Sequence, residues 1–390
     1  MAFKTYNPKG ELVSKEYTVE EVYQDIPTYT KKDKVLIVDM DIMCYKVSSV
    51  CEYKYLFTCK DSGEVFNVKS KKSFKDYCLE NDLNYDNFDC INEQTAEPKS
   101  YAFKTISDAL ERALEFTGCN KYELYVGGSN NFRLKIPLPT QYKMSRTTVQ
   151  RPLLLKDVKD YVIKYKGCKK IKDVECDDLV QRRMRDLNKQ GVRCCLYTID
   201  KDSKGVVDYD ISLYNPDKQD IEFIKGGLGN IYDTKSGIRG DGLKWLMFQT
   251  AMYDKIDNYV MNSHYLKRYG EKSFYKDFNS CASEKELLEK LISKWKELLP
   301  EKTTYTSFDG SLQEHTWLSL AEMYYSCAKM QDGSFPTLVS LFEDYGVEFG
   351  YEKVKISEEE WENLTYEKAV ERCSRDVQIN CILWDKQLAL

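Results

Sequence analysis

The chain has 390 residues, 42% of them apolar, and a formal net charge of −5, enough to bury a substantial core in one large domain or two ordinary ones. No stretch approaches the roughly 20 consecutive apolar residues of a membrane span, and the opening Met-Ala-Phe-Lys-Thr-Tyr lacks the apolar core of a signal peptide, so a cytoplasmic protein with no membrane partner is expected. Fourteen cysteines run from Cys44 to Cys381 without paired zinc spacing, and only His264 and His315 offer imidazoles, which leaves reduced thiols and makes carboxylates, not a histidine-based triad, the carriers of any chemistry.

In chain order, residues 1–33 are polar, rich in Tyr and Lys and without a clear period, and read as an N-terminal arm. The run 34–38, Lys-Val-Leu-Ile-Val, is of the kind found in strands buried on both faces of a parallel sheet, and it ends at Asp39-Met-Asp41. Residues 52–98 are irregular and polar and read as an insertion, whereas 106–116 has helical spacing of its apolar positions. A second buried strand, 122–126, stops at Gly127-Gly128. Helical patterns follow at 153–165 and 174–188, then a third buried strand at 192–199 that ends at Asp200-Lys-Asp202. This alternation predicts an α/β fold with a parallel sheet flanked by helices, and 209–214 with 221–224 a hairpin at its edge. Beyond, helices are expected at 242–253, at 283–299 with a Ser283…Glu286 capping box, at 317–330 and from Glu358 onward, a helical C-terminal region.

Charge is segregated along the chain. Residues 131–172 hold twelve Lys or Arg against Asp157 and Asp160, a charge of +10 in a chain whose total is −5, so everything else sums to −15. That pattern suits a protein that steers a polyanion towards an acidic metal site. Two strands end in acidic pairs, Asp39/Asp41 and Asp200/Asp202, at the carboxyl ends where ligands of open α/β sheets gather. Glu175-Cys-Asp177-Asp178 and Asp254-Lys-Ile-Asp257 add two sets whose outer members are spaced for one helix face. If these acids converge, mutual repulsion raises several pKa values, and divalent cations are the natural compensation. Ligation by oxygen alone selects Mg2+ or Mn2+, and two such ions activate a water and stabilise the leaving oxygen of a phosphodiester displacement. Tyr142-Lys143-Met-Ser-Arg146 places a cation pair beside an aromatic, suited to a scissile phosphate and a stacked terminal base. Taken singly, an acid after a strand is a turn or cap residue, Asp254 and Asp257 are a solvated helix face, and Lys-rich runs are solvated surface; it is the ordered combination that points to chemistry.

That combination resembles the 5′-nuclease superfamily of flap endonucleases and bacteriophage 5′ to 3′ exonucleases, over roughly residues 35–261. Val174-Glu-Cys-Asp-Asp-Leu179 looks like the family's Val-Glu-Ala-Asp-Asp, and Tyr197-Thr-Ile-Asp-Lys-Asp202 is similar to its Ser-x-Asp-x-Asp. Asn131-Phe-Arg133, Tyr142-Lys-x-x-Arg146 and Arg151-Pro152 match the phage branch's phosphate-binding stretch, and Tyr253-Asp-Lys-Ile-Asp-Asn258 its Gly-Asp-x-x-Asp-Asn. The resemblance implies a PIN-like core at 34–262, containing the 52–98 insertion and a basic arch at 131–172, followed by a helical region at 263–390. It implies that Asp39, Glu175, Asp177 and Asp200 sit near one metal and Asp178, Asp202, Asp254 and Asp257 near a second, with Asp41 in a supporting role. Lys143 and Arg146 would be the electrophilic pair, acting with Asp200 in catalysis, and Arg133, Tyr142, Lys143, Arg146 and Arg151 would contact nucleic acid. The implied partner is DNA with a free 5′ end or 5′ flap, with RNA–DNA hybrid in range. Two departures stand out: Val126-Gly-Gly-Ser129 lacks the family's Asp after the second strand, and Tyr259-Val-Met-Asn262 replaces its Gly-rich hairpin. The rivals are a non-catalytic structure-specific DNA binder, a PIN-type ribonuclease, and a phosphotransferase or nucleotidase, the last lacking any Walker-type loop.

Overall fold

The structure is a computed structural model, and it describes residues 5–6, 12–13 and 15–349. Seven strands form its main sheet: β1 (Glu16–Tyr17), β2 (Lys34–Asp39), β3 (Lys121–Gly127), β4 (Lys169–Ile171), β5 (Arg193–Tyr197), β6 (Ile211–Asn215) and β7 (Asp220–Ile224). Their order is β7-β6-β5-β2-β3-β4-β1, and every pairing from β6 through to β1 is parallel. The expected parallel α/β sheet is therefore present. The chain runs from β2 to β3 and β4 on one side, then crosses back to β5 on the other, so β2 lies at the switch point where such sheets open a crevice for ligands.

Alternation along β2 explains its uniformly apolar sequence. Leu36 and Val38 join Leu124, Val126, Cys195 and Tyr197 under helices α2 (Met40–Val50), α3 (Lys99–Thr117) and α4 (Leu155–Lys166). Val35 and Ile37 point to the opposite face, which α5 (Cys176–Lys189) covers, and all four β2 side chains are fully buried. On that face the Arg183 guanidinium donates two 2.9 Å hydrogen bonds to Glu123 of β3, while the Tyr125 hydroxyl donates to the same carboxylate at 2.6 Å. Both members of the ion pair are buried.

The stretch expected as an N-terminal arm is in part built into the sheet, as its edge strand β1 and a short helix, Val19–Gln24, closed by a Thr18/Glu21 capping box. Residues 52–98 carry structure of their own: a three-stranded sheet of Tyr55–Cys59, Val65–Val68 and Phe88–Ile91 with helix Lys71–Glu80, around Phe57, Phe74 and Cys78.

By packing, the described residues fall into two compact units, one taking those up to 131 with 148–200 and 211–223, the other 132–147, 201–210 and 224 onward. The basic stretch at 131–172 is accordingly divided. Its later part forms α4, where the sequence places a helical pattern at 153–165, and Val158 and Val162 of this helix are core residues of the first unit.

The second unit is built on α6 (Gly242–Ala251), buried at all ten positions. Around it pack α7 (Glu271–Phe278), α8 (Glu284–Leu298), α9 (Trp317–Ala328) and α10 (Leu338–Asp344). The α6 N-terminus is closed by the preceding loop: the Leu243 and Lys244 N–H groups donate to the Gly227 and Leu228 carbonyls at 2.8 and 2.9 Å. This requires Gly229 and Gly242, both at positive φ, to approach so closely that a Cβ on Gly242 would lie 2.6 Å from the Gly229 Cα. Helices thus dominate here as expected, joined by three hairpins. Ser283 accepts from the Glu286 N–H at 3.2 Å, but the Glu286 carboxylate accepts from Ala282 and not from Ser283. The helix expected from Glu358 onward lies outside the described residues.

Candidate metal centre

In the first unit the chemistry collects where β2, β3 and β5 end. Asp39 is the last residue of β2 and caps α2, accepting from the Asp41 N–H at 2.9 Å. Glu175 is the N-cap of α5, so Cys176, Asp177 and Asp178 form its first turn. Two helix N-termini therefore present their partial positive charge to one acidic cluster. Asp177 is hydrogen-bonded to Asp39, and burial followed by the charges of Asp39, Asp200 and Glu175 raises its pKa well above the ordinary carboxylate range. Asp39, buried, is pushed up to about 6, first by desolvation and then by Asp41. Two buried, facing carboxyls that resist joint ionisation are an arrangement a divalent cation relieves. Donor chemistry thus fits a metal here, and Asp39, Glu175, Asp177 and Asp200, four of the residues singled out in the sequence, are brought together.

Asp41 belongs to the same cluster. An oxygen of Asp39, an oxygen of Asp41 and the Cys176 sulfur lie within 4.8 Å of one another. Asp41 reaches across to the end of β3, where its Oδ2 accepts from the Gly127 N–H at 2.7 Å. A Cβ on Gly127 would stand 2.7 Å from that oxygen, which is why the strand ends in glycine. Lys159 of α4 pairs with Oδ1 of Asp41. Beside it the Ser129 hydroxyl donates to Glu16, which also pairs with Lys170 at 2.8 Å. The strand end that lacks a carboxylate of its own is thus met by two from elsewhere, Asp41 and, from the N-terminal stretch, Glu16.

Asp178 is buried in the first turn of α5. It is 1% exposed, and Oδ2 accepts from the Glu175 N–H at 3.0 Å, so one of its oxygens serves as a reciprocal cap of α5.

The second unit gathers Asp202, Asp254 and Asp257. All three surround the buried phenol of Tyr259, whose pKa is held well above its ordinary value by burial and then by these acids. Gln249 of α6 donates to Asp202 at 2.5 Å. Asp254 and Asp257 are not on a helix face. They lie on the hairpin whose strands are Tyr253–Asp254 and Tyr259–Val260, and Oδ1 of Asp254 accepts from the Ile256 and Asp257 N–H groups at 2.7 and 3.1 Å, an Asx turn. Its other oxygen takes Lys201 at 2.7 Å. Burial would raise the Asp254 pKa, but Lys201 and the two N–H donors bring it below the ordinary value.

Asp257 is ringed by the residues expected to meet DNA. Tyr142 donates to Oδ2 at 2.6 Å, Arg146 to Oδ1 at 2.9 Å, and the Lys143 ammonium stands 3.6 Å away. Three acids thus face Lys201, Lys143 and Arg146. A cation in this set would have to displace one of them, so these residues do not fit a second ion as they stand. Two further expectations are corrected by burial. Tyr142 is 2% exposed and cannot stack a base, and Arg133 is 1% exposed with its guanidinium on the Cys327 and Lys329 carbonyls at 3.3 and 2.7 Å, a packing residue and not a phosphate contact. Arg151 is exposed, and the Arg146 side chain is 50% exposed.

Of the two histidines, His315 is buried and His264 half-buried. His264 is hydrogen-bonded to Tyr324 at 2.8 Å and His315 to Tyr305 at 3.3 Å. The twelve described cysteines are free thiols, and no helix among the described residues is long and apolar enough to cross a membrane.

The sequence missed Lys159, Glu16 and Cys176 as members of the first cluster. Lys159 and Glu16 meet their partners only through the fold, 118 and 113 residues away. Cys176 carries a signal, its place inside the acidic motif at a helix N-terminus.

Fold and site together define a parallel α/β domain with an acidic centre at the switch point of its sheet. No family model and no curated protein matches the chain. Among solved structures it is similar to a substituted form of the 5′-exonuclease of T5, at 11% identity over 80% of this chain and 97% of that one, with a TM-score of 0.41. It is similar also to the bacteriophage T5 flap endonuclease in a pseudo-enzyme–product complex with DNA and metal ions, at 12% identity, the same coverages and a TM-score of 0.41, and to T5 5′-exonuclease with bound zinc, at 12% and 0.39.

Proposed function

We propose that the chain is a metal-dependent 5′-nuclease, a 5′ to 3′ exonuclease or flap endonuclease that hydrolyses phosphodiesters near a free DNA 5′ end, with RNA primers in its range. The observation that carries the reading is the buried pair Asp39 and Asp177, both with raised pKa values, gathered with Asp41, Glu175 and Asp200 where β2 and β5 end and α5 begins. These residues would hold Mg2+ or Mn2+, which supplies an activated water and charge stabilisation at the scissile phosphate. Lys159 holds Asp41 in place and limits the negative charge that a phosphate must approach. In the second unit, Arg146 keeps part of its guanidinium in solvent while tied to Asp257, and it would contact a phosphate there; Arg151, exposed on the first unit, would be a separate phosphate contact. One ion at the first cluster is the minimum this reading requires, and a second needs Lys201 or Arg146 to give way.

A second reading, a structure-specific DNA binder without catalysis, is favoured by one observation: Lys143 and Arg146, the expected electrophilic pair, are spent on Asp257. The test is cleavage of a 5′-labelled DNA flap, and of an RNA flap of the same sequence, with Mg2+, Mn2+ or EDTA, by the wild type and by Asp200→Asn. Metal-dependent release of the label from DNA, lost in the variant, supports the nuclease. Tight binding without cleavage in either ion sinks it, and preference for the RNA flap moves the assignment to a PIN-type ribonuclease.

A further inference from the structure

The donors at the first centre are not oxygen alone. We propose that Cys176 is one of them, and that Asp39, Asp41 and the Cys176 thiolate form a mixed oxygen–sulfur site for a thiophilic divalent cation of the Zn2+ or Cd2+ class, in competition with the hard ion. The inference rests on the reading of this cluster as a metal centre.

Three observations carry it. The Asp39, Asp41 and Cys176 donor atoms lie within 4.8 Å of one another. Donors bound to one ion at about 2.0–2.3 Å in a tetrahedron sit roughly 3.6 Å apart, so side-chain adjustments of about 1 Å close the set once Lys159 releases Asp41. The second observation is placement. Cys176 is the first residue of α5 and Asp39 the cap of α2, so rigid elements fix both. Third, Cys176 is buried, so the set lies in a site screened from bulk water.

Binding then replaces a proton with a metal. The S–H bond breaks heterolytically, the proton leaves to solvent, the sulfur lone pair forms the metal bond, and no electron is transferred. Soft thiolate strengthens the hold on Zn2+ or Cd2+ and adds little for Mg2+ or Mn2+. A thiophilic ion therefore displaces the hard one, and the centre acquires a Zn2+ sensitivity that an all-oxygen site would lack. Cys44 and Cys168 lie close enough to be influenced by the same acids, but neither belongs to the donor group, which makes Cys168→Ala the internal control.

The experiment titrates the full, metal-stripped chain with Cd2+ and follows the thiolate-to-cadmium charge-transfer absorption in the ultraviolet, and separately displaces bound Mn2+ with Zn2+ while free Mn2+ is read by electron paramagnetic resonance. The wild type and Cys168→Ala should show the band. Cys176→Ala and Cys176→Ser should lose it and require at least tenfold more Zn2+ to release Mn2+. Variants enter the comparison only if their thermal transition stays cooperative, and the two replacements guard against a failure specific to either one. If the wild type binds Mn2+ while the band is absent or survives in both Cys176 variants, the thiol inference falls and the metal centre stands. If neither Mn2+ nor Cd2+ binds, both fall.

Discussion

Asp39 and Asp177 face each other across a hydrogen bond, and both folded-state pKa values lie above those of the unfolded chain. A carboxyl shifted upward favours folding below its unfolded pKa, and that contribution is lost as pH rises through the folded value, about 6 for Asp39. At pH 7 the metal-free protein therefore carries the cost of a buried charge, and then of its repulsion by Asp41, that Asp39→Asn removes, while the amide still caps α2. The expected gain is on the order of 2–3 kcal/mol, seen as a higher Tm in EDTA. With Mn2+ the order reverses, because only the wild type gains from binding; a variant less stable in EDTA would contradict the reading of Asp39 as a costly buried charge. Arginines separate in the same way. Arg133→Ala should cost on the order of 2–3 kcal/mol of stability by orphaning two buried carbonyls. Arg146→Ala should leave the fold intact, weaken DNA binding and lower its salt slope by about 1. Urea unfolding and salt-dependent binding distinguish the two roles. The sequence shows two arginines near Tyr142 and is silent on burial, which depends on the Cys327 and Lys329 carbonyls nearly 200 residues away.

Helix α5 links the acidic motif to the sheet through the Arg183–Glu123 pair. Removing one partner leaves the other charge buried and alone, so Arg183→Ala should destabilise by about 3–5 kcal/mol, whereas Arg183→Met with Glu123→Leu should come close to neutral. Urea midpoints of the three proteins decide it, and an additive double variant would show that the pair is not coupled. Elements were legible where one interaction decides them. The apolar run at 34–38 could only be a strand buried on both faces, and the position of Asp39 followed from it. Asp254 and Asp257 were not legible, because i, i+3 spacing serves an Asx turn in a hairpin as well as a helix face. Residues 16–24 were missed because a two-residue edge strand has no measurable period.

For the whole molecule, segregated charge was readable from the sequence, but its division was not: the basic stretch belongs to two packing units, and no local signal marks the break near 147. The second unit also sets an acid limit. His315 is pushed down to about 4 by burial and then by His264, which burial itself lowers. Depressed histidine values mean that the unfolded chain binds more protons, so stability is full above pH 6.5 and is lost as pH falls from 6.5 towards 4, on the order of 3 kcal/mol for His315. Tm measured across that window should fall, and less steeply in His315→Gln; equal slopes would remove the histidine from the account. The central claim is that the first acidic cluster performs metal-dependent phosphodiester hydrolysis. Its most direct measurement is single-turnover cleavage of a 5′-flapped DNA by the wild type and Asp177→Asn, with flap affinity determined separately. The account predicts cleavage in Mn2+ that EDTA stops, slowed at least about 100-fold in the variant while affinity is kept. Wild-type cleavage that persists in EDTA, or a variant that cuts at the wild-type rate, would contradict it.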